Sequence, residues 1–320
     1  MSSHKRFSGF PARFGDILVR DLFGARLVTA SNKTVPIGSG GLNPQAVINS
    51  HADPMISAET REFDNIFAGA AAVSIINGYA VNTAADPATA STLFQLQERA
   101  DGATFTAGST HGVGTNTKGF LTVGEISAAQ DDTDGAKIAL EYYALSADGL
   151  TVPISWSGIS ALTSTVAFDD QWYLGPVYVG DVSGSPTLVS NVQNVRIRPG
   201  LNYRPKRGDG NPFAIVGSIE SRTPEIRISI LDLDDFYTVL GSNLFAKDIV
   251  NIRVNCFFVK GIHGGSRYAY NTTNHYRVTA TTGDITPDQI SFQGTDDGLM
   301  ELVVRPTGTL SLTANTAIPV

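Results

Sequence analysis

Beyond Gly119 the chain is written in short runs where apolar and polar residues take turns, and that rhythm commits it to sheet. Lys137–Leu145, Glu225–Leu231, Ile249–Lys260 and Leu299–Arg305 are rich in β-branched and aromatic residues. Their alternation is the period of two that a half-buried strand requires. With 32 glycines and 15 prolines against 17% charged residues, many turns and few long surface helices are expected. The predicted fold class is mainly β, with one or two short helices and long hairpins.

The 320 residues can bury a large core, and 42% hydrophobic content excludes wholesale disorder. A net charge of -7 argues against sequence-independent gripping of a phosphate backbone, which needs a field of Lys and Arg. The lone Cys256 forbids an internal disulfide, and its alternating neighbours Ile252, Val254 and Phe258 make it a small buried hydrophobe. Met1–Phe14 lacks an apolar signal core. The most apolar stretch, Ile66–Ile76, is shorter than the roughly 20 residues a membrane helix needs, so no membrane association is expected.

Two units are predicted: residues 1–118 as an N-terminal arm and accessory region with a short helix near 87–100, and 119–320 as the main β domain with a flanking helix near 233–246. Residues 1–58 read as irregular, an arm or a surface loop, with a short hairpin of Ile17–Val19 and Arg26–Thr29 around Phe23-Gly24. Asp86 is placed as an N-cap with Pro87 at the first helical position, and Ala90, Leu93, Phe94 and Gln97 share a face. Leu233, Phe236, Tyr237, Leu240 and Leu244 recur at helical spacing behind Asp232, Asp234 and Asp235. Ala107–Lys118, polar and glycine-rich, reads as a loop or linker. Hairpins are expected between Phe120–Ser127 and Lys137–Leu145, and between Gln289–Phe292 and Leu299–Arg305, with further reversals at Pro199-Gly200 and Arg207–Gly210.

Chemical motifs are sparse. Gln130, Asp132, Asp134, Gly135 and Glu141 fall at positions 1, 3, 5, 6 and 12 of a calcium-loop pattern, but the strand-like flanks favour a hairpin turn. His4, His51, His111, His263 and His275 have no metal-ligand spacing; His275 is expected at the surface. No nucleophile elbow, P-loop or dinucleotide fingerprint occurs, and Asp169-Asp170, Asp234-Asp235 and Asp296-Asp297 read as turn and cap residues. Neither a cofactor nor a metal is implied, and the chain is read as non-enzymatic. Trp156 and Trp172 lie in apolar runs and are assigned to the core. Arg196, Arg198, Arg204, Lys206 and Arg207 cluster around Tyr203. Such a group can contact an anion or nucleic acid, an acidic neighbouring subunit, or simply water; in an acidic chain the subunit contact is preferred.

The stretches Tyr173–Val179 (YLGPVYV), Val192–Gly200 (VQNVRIRPG), Asp209–Phe213 (DGNPF) and Thr223–Ile228 (TPEIRI) together carry a resemblance. With His275–Ala280 (HYRVTA) and Gly283–Pro287 (GDITP), they resemble structural proteins of tailed-phage virions, most of all the major tail (tail tube) proteins. The likeness covers roughly residues 119–310; residues 1–118 depart from it. It implies a tail-tube-like β-sandwich or partly closed β-barrel with an extended hairpin and the Asp232 helix as flank. It also implies homo-hexameric rings stacked for genome passage, with other virion tail proteins as partners and no sequence-specific grip on nucleic acid. The chain would be made in the host cytoplasm and reside in the virion. The hairpins Phe120–Leu145 or Gln289–Arg305 would extend a neighbour's sheet. Two alternatives stand beside this: a capsid-decorating or head-tail adaptor protein, and a glycan-binding or hydrolytic β-rich tail component.

Overall fold

The described parts of the period-two runs are strands, and among the described residues a single short helix accompanies them. A computed structural model describes residues 5–15, 17–34, 48–67, 75–82, 92–100, 111–159, 170–181, 186–231, 251–262, 265–291 and 299–319.

The chain opens with β1 (Lys5–Phe14), β2 (Ile17–Val19), β3 (Leu22–Thr34) and β4 (Ile48–Thr60), then one short helix, α1 (Phe63–Phe67). Next come β5 (Tyr79–Asn82), β6 (Thr92–Ala100), β7 (His111–Asn116), β8 (Lys118–Ala129), β9 (Lys137–Ala144) and β10 (Ser155–Ile159). They are followed by β11 (Asp170–Asp181), β12 (Thr187–Val189), β13 (Val192–Arg198), β14 (Leu201–Lys206), β15 (Val216–Arg222) and β16 (Glu225–Ile230). The last are β17 (Ile252–Ile262), β18 (His275–Ala280), β19 (Gly283–Ser291), β20 (Leu299–Pro306) and β21 (Ser311–Thr316).

Nine strands form the largest sheet, in the order β19-β20-β16-β13-β8-β9-β4-β3 with β5 also on β8. A five-stranded sheet, β12-β11-β17-β18-β21, lies against it, β11 passing over β8 and β13. Another runs β10-β7-β6-β1-β2, and β14 and β15 make a separate two-stranded ribbon. Among the described residues no sheet closes on itself. The arrangement is sandwich-like rather than a barrel.

The inward rows explain why the two larger sheets meet. Ile226, Ile228 and Ile230 of β16, Val195 and Ile197 of β13, and Ile138 and Leu140 of β9 are buried in one cluster with Leu174, Val177 and Val179 of β11. Val254, Cys256 and Phe258 of β17 join that cluster, so Cys256 is the small buried hydrophobe expected, its thiol pushed up to about 12 by burial. Phe63 from α1 centres an aromatic knot, its ring 5.2 Å from Phe258 and 5.6 Å from Trp172.

The β8–β9 hairpin forms as predicted, with Val123 opposite Leu140 and Ser127 opposite Lys137. In its turn the Asp134 amide donates to Asp132 Oδ1, and Lys137 Nζ lies 3.0 Å from Asp132 Oδ2. The acidic run is a hairpin turn between strands. β19 and β20 pair as predicted too.

Several expectations are corrected. Residues 1–118 are not a separate accessory unit: β3, β4 and β5 complete the nine-stranded sheet, and Phe14, Val19 and Ile56 sit in the common core. The proposed hairpin of Ile17–Val19 with Arg26–Thr29 is absent, because β2 pairs with β1 while β3 pairs with β4. Thr92–Ala100, expected at the end of a helix near 87–100, is a strand hydrogen-bonded to β1 on one side and β7 on the other. Two full ladders outweigh a weak local helix preference, and one short apolar run cannot distinguish the two periods. Residues 83–91 and the predicted helix near 233–246 lie outside the described residues. His111–Asn116, expected in a linker, is β7. Its Gly114 lies opposite Trp156 on β10, and a Cβ there would meet the indole ring at 3.2 Å. That glycine leaves room for an aromatic ring, which is why a strand looked like a flexible loop.

Candidate assembly surfaces

The basic segment around Tyr203 does not form one patch. On β13, Val195 and Ile197 point into the core, which sends Arg196 and Arg198 to the outer face of the nine-stranded sheet. Arg198 Nε reaches Glu125 Oε2 at 2.6 Å. Arg196 stands directly opposite Arg227 of β16, is exposed, and makes no ion pair among the described residues. Arg227 is held at 2.6 Å by Glu225 and 3.0 Å by Glu301, and those bonds raise its guanidinium further above its ordinary value.

At Pro199-Gly200 the chain leaves the sheet. Gly200 has φ of 61°, and a Cβ there would collide with the Thr223 carbonyl, so the reversal into the ribbon requires glycine. Within the ribbon Tyr203 is buried at 8% exposure, its ring stacked on Phe120 of β8 and covering Gly217 of β15. Arg204 pairs with Glu220 across the ribbon at 3.5 Å, and Lys206 is exposed. Arg207 turns back to an ion pair with Asp53 of β4. Of the six residues singled out as subunit contacts, Tyr203, Arg198 and Arg207 are thus engaged within the subunit. Arg196 and Lys206 are exposed and unpaired among the described residues, and Arg204 is half-committed to Glu220.

At the far end of the ribbon, residues 207–215 fold onto the sheet. The Ala52 amide donates to Pro212 O, the Phe213 amide to Gly149 O and the Ser146 amide to Ala214 O. This clamps a second loop, 146–151, whose shape is set by Asp148. Its Oδ1 accepts from the Leu150 and Thr151 amides, and its Oδ2 accepts from the Thr151 hydroxyl. Those bonds hold the carboxyl well below the usual carboxylate range. The same loop presents Leu150 at 67% exposure and Val152 at 58%, and Trp156 of β10 is 47% exposed. Trp156 was expected in the core; half of its ring instead faces solvent because β10 is an edge strand.

The near end of the ribbon carries a recess. A pocket of about 230 Å³ is walled by Pro199, Leu201, Pro224, Pro306 and Leu310, with Arg222 as its one charged lining residue.

One polar cluster tests for chemistry. Lys260 Nζ lies 2.9 Å from Asp64 and 2.8 Å from Asp170, and the Tyr276 hydroxyl donates to Asp64 Oδ1. Burial lowers the Lys260 pKa, but the hydrogen bonds to Asp170 and Asp64 outweigh it and the group ends raised. Burial, then Asp64, pushes the Tyr276 phenol up as well. An ammonium and a phenol that both retain their protons are poor bases; the cluster ties α1 to β17 and β11. His275, expected at the surface, is fully buried beside it. Its Nδ1 accepts from the Lys260 amide at 3.2 Å and its Nε2 lies 3.0 Å from Ala269 O. The neutral Nε2–H tautomer satisfies both contacts. Nothing local in the sequence announces this cluster, since Asp64 and Lys260 are 196 positions apart.

Among the described residues no group of three His, Cys, Asp or Glu side chains could hold a metal ion, and no helix is long and apolar enough to cross a membrane. No protein-family model matches this sequence, and no curated protein matches it either.

Proposed function

We propose that this chain is a structural subunit of a tailed-phage virion, assembling into homo-hexameric rings that stack as a tail tube, with no reaction of its own. The observation that carries the reading is the β3–β4 hairpin. Its strands pair from Leu22 and Thr60 out to Thr34 and Ile48, yet β9 supports β4 only over Met55–Thr60. Among the described residues no third strand joins the arm beyond Pro54; it meets the rest of the subunit at Ala52, which bridges to Phe213 and bonds Pro212 O, and at Asp53, which pairs with Arg207. An isolated two-stranded hairpin is marginal in water. A neighbouring subunit's sheet supplies the missing strand contacts, and ring closure consumes the open edges.

Of the two hairpins predicted to extend a neighbour's sheet, β8–β9 is unsuited, since β13 and β4 flank it on either side. Among the described residues β19 is an edge strand, and it fits the role. The net charge of -7 keeps passing DNA from adhering.

Negative-stain imaging and mass measurement of the purified chain test the proposal: six-fold rings or tubes are expected. Replacing residues 31–51 by a two-glycine turn should leave a folded monomer that no longer assembles. A capsid-dependent trimer would instead indicate the decorating or adaptor role.

One observation favours a second reading. Trp156, on the edge strand β10, is 47% exposed. An exposed aromatic side chain can stack on a sugar ring. Glycan binding by a non-assembling particle, lost in Trp156→Ala, would establish that role.

A further inference from the structure

We infer that the Leu150–Val152 knob of one copy seats in the proline-walled pocket of the next, a head-to-tail contact along the β14–β15 ribbon; this rests on the self-assembly reading above. The two features lie at opposite ends of one rigid element. Leu201 pairs with Arg222 at the pocket end, and Lys206 pairs with Val216 at the knob end. Five strand steps separate them, roughly 17 Å. A protrusion and a recess displaced along one axis pair either reciprocally across a two-fold axis or head to tail, and the stacked-ring reading selects the head-to-tail form. That heterologous contact closes as a ring or continues as a stack.

Shape and charge both select a second copy as occupant. The knob is fixed before contact: Asp148 locks its backbone, and Gly149 is bonded to Phe213. Little conformational freedom is therefore lost on docking. Leu150, 67% exposed, is the apolar side chain with most to bury. The pocket's 230 Å³ exceeds the roughly 150 Å³ of an apolar cavity that accepts benzene, so a leucine side chain fits. Arg222 brings one positive charge to the pocket, its Nη1 donating to Asn77 Oδ1. The knob end is acidic: Asp148 and Asp209 are exposed there against Lys206, while Arg207 is already neutralised by Asp53. Seating Leu150 brings Asp148, two residues away, towards Arg222.

Two single variants of the full chain, Leu150→Cys and Thr309→Cys, provide the test. Thr309 is an exposed pocket residue, and the native Cys256 is fully buried. Mixed under mild oxidation, they should form a disulfide-linked dimer that neither variant forms alone. Leu150→Asp should lower assembly affinity at least roughly tenfold, as losing a central anchor does, with the melting temperature of the subunit unchanged. Rings or tubes that form normally without the mixed cross-link, and that tolerate Leu150→Asp, overturn this contact while leaving the tube reading intact. In the double variant Leu150→Cys/Thr309→Cys a head-to-tail contact should link chains beyond the dimer; cross-linking that stops at dimers would show a reciprocal two-fold contact and overturn it too. A chain that stays monomeric overturns both.

Discussion

Tyr203 lies flat against Phe120, ring centroids 4.1 Å apart and planes within 3° of parallel, and this stack fastens the two-stranded ribbon to the large sheet. Tyr143 closes on the same ring at 5.0 Å. Tyr203→Ala should cost about 3 kcal/mol, as truncation of a buried aromatic does, and should expose residues 207–215 to limited proteolysis. Tyr203→Phe keeps the stack and should stay within about 1 kcal/mol of the parent in a urea titration.

Ile228 is fully buried between β13 and β20. Ile228→Asp places an unpaired carboxylate there and should destabilise by more than about 4 kcal/mol, leaving mostly insoluble or unfolded chain. Ile228→Val should cost only about 1 kcal/mol. Equal midpoints for the two variants in chemical denaturation would show that β16 is not the centre of the core.

Cys256 gives a pH prediction with a definite sign. Its folded-state pKa is raised from 9.0 to about 12, so the folded chain retains that proton more tightly than the unfolded chain. The associated stability is complete below pH 9 and drains away as pH climbs towards 12. Cys256→Ala should flatten that alkaline limb. At pH 8 a thiol reagent should label the parent no faster than the chain unfolds.

Gly114 and Trp156 form a glycine–aromatic pair across β7 and β10. Gly114→Val should displace the indole, cost about 1–3 kcal/mol and shift tryptophan emission to longer wavelength. The shift must vanish in Trp156→Phe, since Trp172 is 1% exposed.

The Asp132 turn should tolerate neutralisation. Asp132→Asn removes one partly exposed ion pair with Lys137 and should change stability by less than about 1 kcal/mol. Added calcium should leave the melting temperature of the parent unchanged; a rise that disappears in Asp132→Asn would restore the calcium-loop reading.

What the sequence disclosed and what it concealed divide along one line. Where burial falls on one face, as in Glu225–Ile230 or Lys137–Ala144, alternation alone locates the strand and its inward residues. The sequence misleads wherever structure is imposed from a distance. Thr92–Ala100 owes its conformation to β1 and β7, and His111–Asn116 hides a strand behind glycines that make way for Trp156. His275 is drawn inside by Lys260 and Ala269, and Lys260 by Asp64 and Asp170, none of which spacing can reveal. The basic run 196–207 looked continuous because its residues are neighbours in sequence, but Gly200 bends the chain and sends its halves to different sheets.

The order of strands in the large sheet also dictates when it can be built. β20, near the C-terminus, covers the edge of β16, while β4 and β3, near the N-terminus, complete the opposite side. A ribosome must therefore translate Leu299–Pro306 before Ile226–Ile230 has its second neighbour. Strand pairings this far apart in the chain fold slowly and expose adhesive edges meanwhile. Nascent chains halted before Leu299 should stay protease-sensitive and bind chaperones, and those extended past Thr316 should not.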